Sequence, residues 1–194
     1  MQTYNLKGTE TAINLMKSFA GESQARNSYC FYESVARNEG YIEIADIFYE
    51  TAENERAHAK RFWDCLIAGG IQENALDIEA AFPVAMKDTG QNLGYAAIGE
   101  HEEGHELYPT FANIADQEGF PTIAAIFRAI ASVEKFHEER FLQYKKFVDT
   151  NQVFTKEKST QWICINCGYI HEGNSAPNVC PSCAYPQGYF KEKA

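Results

Sequence analysis

Apolar residues recur every three or four positions through four long stretches of this chain, the spacing that gathers side chains on one face of a helix. The stripes are Leu15, Phe19, Ala25, Tyr29; Phe48, Ala52, Ala59, Phe62, Leu66; Leu93, Ala97, Gly104, Leu107; and Phe127, Ala131, Phe141. They predict helices from about Thr9 to Asn38, Tyr41 to Ala68, Asp88 to just before Gly119, and Pro121 to about Val148. End signals agree with these bounds. Gly40 and the Gly69-Gly70 pair suit the left-handed residue that closes a helix. Asp88 stands three residues before Gln91 in a capping-box-like arrangement, and Pro121 fits a first helical turn. Pro109 is expected to bend the third helix.

The links after the first and third helices are short, whereas Ile71 to Lys87, 17 residues including Pro83, separates the middle pair. At about 3.3 Å per residue such a segment reaches roughly 55 Å, enough to run back along a whole helix. The fold class that follows is mainly α. It resembles the ferritin-like four-helix bundle with one long central crossover. A polar, charged stretch over 150–160 reads as a linker, leaving a bundle over 1–149 and an appendage over 161–194. The appendage is too short to fold on apolar burial alone, so a bound metal must supply much of its stability.

An internal duplication underlies the bundle. Ala36 to Phe62 set against Ala115 to Phe141 gives 12 identities in 27 positions, all at an offset of 79. Gly21-Glu22 matches Gly99-Glu100 at 78, yet Tyr29 matches Tyr108 at 79. The second copy therefore carries one extra residue between its glutamate and its tyrosine, which predicts a π-bulge between Glu100 and Tyr108.

Four glutamates, Glu22, Glu55, Glu100 and Glu134, interrupt the apolar stripes, one in each helix. Ionised and unpaired, four or more interior carboxylates would cost more than the roughly 5–15 kcal/mol by which a domain is stable. Protons or cations must neutralise them. Glu55-x-x-His58 and Glu134-x-x-His137 each set a carboxylate and an imidazole one turn apart on a helix face. A glutamate from each of two helices with Glu-x-x-His from the other two is the donor set of two-metal carboxylate bundles. Glu22 and Glu100 are then terminal ligands, Glu55 and Glu134 bridges, and His58 and His137 single nitrogen donors. A lone Glu-x-x-His is more often a solvated face; two copies inside a repeat weigh against that. Glu103 stands where the first copy has Ala25, so a fifth carboxylate could exchange with an imidazole as the metal changes charge, the alternative being a solvated side chain. Tyr29 and Tyr108 hold matching positions where a phenol could hydrogen-bond a ligand carboxylate, with plain core packing as the alternative. His101 and His105 do not share the ligand face cleanly and are expected to face solvent or lie behind the ligands.

Composition narrows the partners. A net charge of −10 and a pI near 5.0 argue against nucleic acid or an anionic membrane. No apolar run approaches a membrane span and Met1 to Ala12 lacks a signal-peptide pattern, so a cytoplasmic location is expected. Cys164-x-x-Cys167 and Cys180-x-x-Cys183 define a four-thiolate site for zinc or a single iron, while Cys30 and Cys65 read as small buried or half-buried residues. Trp162, the run Cys167-Gly168-Tyr169, Cys180-Pro181 and Phe190 resemble the knuckles and aromatic cover of rubredoxin.

Taken together, the chain resembles the rubrerythrin family over nearly its whole length. Glu22, Glu55, His58, Glu100, Glu103, Glu134 and His137 fall on that family's di-iron pattern, and the four C-terminal cysteines on its rubredoxin-like domain. The resemblance implies two irons in the bundle, one in the four-cysteine site, and a peroxidase that reduces hydrogen peroxide to water. It also implies a homodimer in which one subunit's small domain serves the other's di-iron site. With no nucleotide-binding motif in the chain, electrons would come from a rubredoxin or an NADH-dependent reductase acting separately. The alternatives are a ferroxidase or iron-storage protein of the ferritin-like class, and a zinc-stabilised interaction protein.

Overall fold

The computed structural model describes residues 4–72 and 75–193. In order, it contains α1 (Glu10–Asn38), α2 (Ile42–Ala68), α3 (Thr89–Glu102), a π-helical turn (Glu103–Leu107), α4 (Tyr108–Gln117) and α5 (Pro121–Asp149). Then come β1 (Thr155–Cys164), β2 (Ile170–Ser175), a short 3-10 turn (Gln187–Tyr189) and β3 (Phe190–Glu192). Helix α1 packs along α2, and the interrupted helix α3–α4 packs along α5, giving the ferritin-like bundle. Residues 73 and 74 of the crossover lie outside the described residues; further on, it passes over α1. There the Tyr32 hydroxyl donates to Ala85 O at 2.8 Å and the Gln24 amide to Pro83 O at 3.1 Å. Among the described residues no helix is long and apolar enough to cross a membrane.

The helix ends behave as their residues dictate. Gly40 and Gly119 take φ of 84° and 85°, and the following residue in each case bonds back across the last turn, Tyr41 N to Ala36 O and Phe120 N to Ala115 O. The Asp88 side chain accepts from Gln91 N, and Pro121 sits in the first turn of α5. Pro109 falls in the first turn of α4, directly after the π turn, where the α ladder is already broken.

The inserted residue is taken up where the repeat predicts it. Seven residues, the span from Glu22 to Tyr29, make nearly two full α turns; eight, the span from Glu100 to Tyr108, overshoot by about 80°. A wider turn over Glu103–Leu107 absorbs that excess, so both Glu100 and Tyr108 face inward. Leu107, placed by regular periodicity on the interior stripe, is instead 36% exposed, and Tyr108 takes the buried position. The phase shift of the π turn explains the difference.

The interior splits into two apolar clusters. Leu15, Phe62, Leu66, Tyr108, Ile123 and Phe127 belong to one, and Tyr29, Phe48, Leu93 and Phe141 to the other. Along each helix one interior glutamate separates the two clusters: Glu22 lies between Leu15 and Tyr29, Glu55 between Phe48 and Phe62, and the second half repeats this. Burying each large apolar side chain stabilises by about 1.5–3 kcal/mol, and the polar layer between the clusters must be neutralised for that gain to be kept.

The repeat-matched Glu39 and Glu118 cap each other's half. Glu118 accepts from Glu10 N, Thr11 N and the Thr11 hydroxyl at the start of α1, and Glu39 accepts from Thr89 N at the start of α3. Both satisfy N–H groups that a helix start leaves without partners.

The C-terminal residues form a three-stranded antiparallel sheet in the order β2-β1-β3 around Trp162, Cys164, Ala176, Cys180 and Phe190. The expected linker over 150–160 is shorter than its polarity suggests. From Thr155 on, the chain is already in β1, whose exposed residues are polar because the strand covers a very small core. Phe154, just ahead of it, stacks on Tyr41 at the α1–α2 corner with centroids 5.9 Å apart.

Candidate metal centres

Six side chains converge in the polar layer of the bundle. Ligand atoms of Glu22, Glu55, His58 and Glu134 all lie within 4.8 Å of one another, as do those of Glu55, Glu100, Glu134 and His137. Glu55 and Glu134 belong to both groups. Glu55 offers Oε2 to His58 Nδ1 at 3.0 Å and Oε1 to His137 Nδ1 at 3.2 Å; Glu134 offers Oε1 and Oε2 to the same two nitrogens, each at 3.0 Å. One oxygen of each central carboxylate thus faces each side, the arrangement of two bridging carboxylates. Glu22 attends the His58 side at 3.8 Å and Glu100 the His137 side at 3.5 Å.

The outer oxygens are held from behind, crosswise between the repeats. Tyr29 donates to Glu100 Oε1 and Tyr108 to Glu22 Oε1, both at 2.5 Å, leaving Oε2 of each glutamate free to face the layer. His137 is fixed through its other nitrogen, with Nε2 3.3 Å from Asn54 Oδ1. Nothing in the sequence flagged Asn54, because its repeat partner is Val133 and the pair shows no symmetry.

Charges explain why this layer needs an ion. Burial first, then Glu55, Glu103 and Glu134, push the Glu22 carboxyl well above the ordinary range, and burial with Glu55 raises Glu100 to about 8. Burial works against the Glu55 charge too, but His137 and His58 outweigh it and hold Glu55 at about 2. The carboxylates in turn overcome desolvation to lift His58 to about 9 and His137 to about 12. Glu22 Oε2, Glu100 Oε2, Glu55 Oε1, both Glu134 oxygens and His137 Nδ1 are buried without an aligned hydrogen bond, although His137 Nδ1 lies only 3.0 Å from Glu134 Oε2. These atoms crowd into the two four-atom groups without hydrogen-bonding one another, which leaves their lone pairs available to ions. Two cations there would satisfy every such atom, so the residues fit a metal pair.

Glu103 is placed beside this set and in neither four-atom group. Half-buried, it brings Oε1 close to where a Cβ on Gly21 would be, 3.3 Å away, and burial followed by Glu100 and Glu134 raises its carboxyl well above the ordinary range. It stands next to the Glu22 side, where the first half of the repeat has no matching acid. His101 and His105 are exposed on the outer face, as the sequence suggested. Cys65 is buried and Cys30 half-buried.

In the small domain all four sulfurs lie within 4.8 Å of one another, with Cys164–Cys183 at 3.8 Å and Cys167–Cys180 at 3.7 Å. A tetrahedron with metal–sulfur bonds of about 2.3 Å has edges of about 3.8 Å, whereas a disulfide would need about 2.05 Å. Two matching knuckles build it. Gly168 N donates to Cys164 O and Ala184 N to Cys180 O, while Cys164 N donates to Tyr169 O and Cys180 N to Tyr185 O. Hydrogen bonding from Asn166 and the Tyr185 backbone holds the Cys183 thiol down at about 6, while burial pushes its neighbour Cys164 up to about 12, so Cys183 is the readier thiolate and a cation is needed to hold Cys164 in that form.

The fold and these two sites define a class: a ferritin-like carboxylate bundle built for a metal pair, joined to a four-thiolate mononuclear domain. The family description Rubrerythrin matches residues 14–145, and Rubrerythrin, rubredoxin-like domain, matches residues 162–191. The chain is 54% identical over 188 residues to rubrerythrin-1 of Clostridium acetobutylicum and 53% over 188 residues to rubrerythrin of Clostridium perfringens, covering 96% of both chains each time. A solved structure of nigerythrin in a mixed-valence state aligns with a TM-score of 0.63 at 27% identity, covering 98% of this chain and 92% of that one. The chain belongs to the rubrerythrin family. Its cofactors are accordingly the di-iron site of the bundle and a four-cysteine iron.

Proposed function

We propose that this protein is a peroxidase that reduces hydrogen peroxide to water, H2O2 + 2e− + 2H+ → 2H2O. The observation that carries the reading is the sharing of Glu55 and Glu134 between two four-ligand groups, which seats two ions side by side in one dry layer. Glu22, Glu55, His58, Glu100, Glu134 and His137 would hold the iron pair, which when reduced would supply both electrons for cleaving the O–O bond, and iron held by Cys164, Cys167, Cys180 and Cys183 would replace them one at a time.

The chain's own residues do the rest. Tyr29 and Tyr108 keep their protons, burial raising both hydroxyls well above the ordinary range, and so lock the outer glutamates in orientation. Phe48, Phe62, Phe127 and Phe141 wall the layer against water. His58, with 14% of its side chain exposed, marks the more open flank, the approach for a small substrate, whereas His137 is sealed. Glu103 stands beside that flank, its Oε1 next to Gly21 of α1.

The small domain rests on Tyr41, the residue that opens α2 and stands 14 positions before Glu55, about 21 Å at 1.5 Å per residue. That separation favours electron delivery from the small domain of a second subunit in a homodimer. A rubredoxin or an NADH-dependent reductase in the same cytoplasmic compartment is the upstream donor.

The test is anaerobic reduction of the iron-loaded chain followed by mixing with peroxide or with air-saturated buffer. Peroxide should restore ferric absorption far faster than air, with no hydroxyl radical trapped. A reduced chain inert to peroxide that oxidises and accumulates added ferrous ion would replace this reading with iron storage.

A further inference from the structure

Outside both centres, two imidazoles and a carboxylate meet on the outer face of the bundle. His101 lies at the end of α3, His105 in the π turn, and Glu138 on α5. His101 Nδ1 is 2.9 Å from Glu138 Oε1, and His105 Nε2 is 3.2 Å from Glu138 Oε2. The imidazole rings stack with centroids 4.5 Å apart, and the three donor atoms lie within 4.8 Å of one another. We propose that His101, His105 and Glu138 form a third metal site, a surface clamp for one borderline divalent transition-metal ion of the zinc or cobalt type.

The chemistry selects the ion. Two imidazole nitrogens with one carboxylate suit zinc, cobalt, nickel or ferrous ion, whereas calcium and magnesium prefer all-oxygen shells. Three protein donors leave open positions for water. The geometry is already assembled, because the single carboxylate holds both rings from across the helix gap, so little side-chain freedom remains to be lost on binding. Local charge favours a cation as well, with Glu102, Glu106 and Glu139 nearby in the sequence and the chain at net −10. The first half of the repeat has Ser23 and Ala59 where His101 and Glu138 stand, so the cluster is not a by-product of duplication.

Position gives the site its consequence. His101 adjoins Glu100, and Glu138 adjoins His137, on the two helices that carry one flank of the buried layer. An ion here ties the π turn to α5 and stiffens that flank from outside.

The experiment loads the full chain with iron, adds zinc at neutral pH, and measures zinc and iron in the protein fraction after dialysis. Cobalt in place of zinc gives a visible spectrum of the site. One added ion per chain with iron fully retained is the expected result, together with a rise in melting temperature. H105Q and E138Q should keep the iron and weaken zinc binding by on the order of tenfold or more, and H105Q should alter the cobalt bands. Zinc uptake matched by iron release, or uptake equal in wild type and both variants, would overturn the proposal, as would no uptake at all.

Discussion

Tyr108 shows how one hydroxyl can govern a buried carboxylate. It holds Glu22 Oε1 at 2.5 Å in a place where water cannot substitute, so the pair is both a positioning device and a satisfied hydrogen bond. Removing it strands a buried acceptor, at a cost of about 1–3 kcal/mol, and frees the ligand to rotate. Tyr108→Phe should therefore lose bundle iron to a chelator about 10–100-fold faster while the four-cysteine iron is retained, as read by metal analysis over time. Tyr29→Phe, acting on Glu100, is the internal control from the other half of the repeat.

At the scale of elements, the π turn is the device that lets an eight-residue span do the work of seven. Its close packing depends on Gly104, where an added Cβ would come within 3.2 Å of the Ala131 carbonyl and the Lys135 backbone nitrogen and 3.1 Å of the Lys135 side chain. Backbone atoms of α5 cannot move aside cheaply. Gly104→Ala should destabilise the iron-loaded protein by about 1–3 kcal/mol and push α3 off α5, measured by denaturant unfolding together with a change in the ferric absorption of the bundle. Gly99, with open space around its Cβ position, should tolerate alanine far better.

Across the whole molecule, the two apolar clusters are joined through a layer that is stable only when its charges are balanced. In the metal-free chain Glu22, Glu100 and His58 all have folded-state values above the ordinary ones, Glu100 at about 8 and His58 at about 9. Each of these groups binds its proton more tightly folded than unfolded, so its contribution is present below its unfolded value and is lost as pH rises through the folded one. Glu55, depressed to about 2, acts oppositely, but only in the acid range below its unfolded value. Metal-free protein should accordingly melt at least about 3 °C lower at pH 9 than at pH 6, while iron-loaded protein, its carboxylates ionised at both, should show a much flatter profile. An equal slope in the two forms would mean the layer does not control stability.

The sequence by itself determined the fold class, the four interior glutamates, both Glu-x-x-His pairs, the four thiolates and the π turn, because periodicity and repeat offset fix the face and turn on which each residue lies. It did not determine which side chain answers across a gap between helices. The crossed pairing of Tyr29 with Glu100 and Tyr108 with Glu22, the support of His137 by Asn54, the reciprocal caps of Glu39 and Glu118, and the meeting of His101 and His105 with Glu138 were decided by tertiary structure. So was the start of β1 within a polar stretch that reads as linker. Spacing within one helix is set by covalent geometry, whereas these contacts depend on the register and distance at which separate elements pack, quantities no local pattern carries.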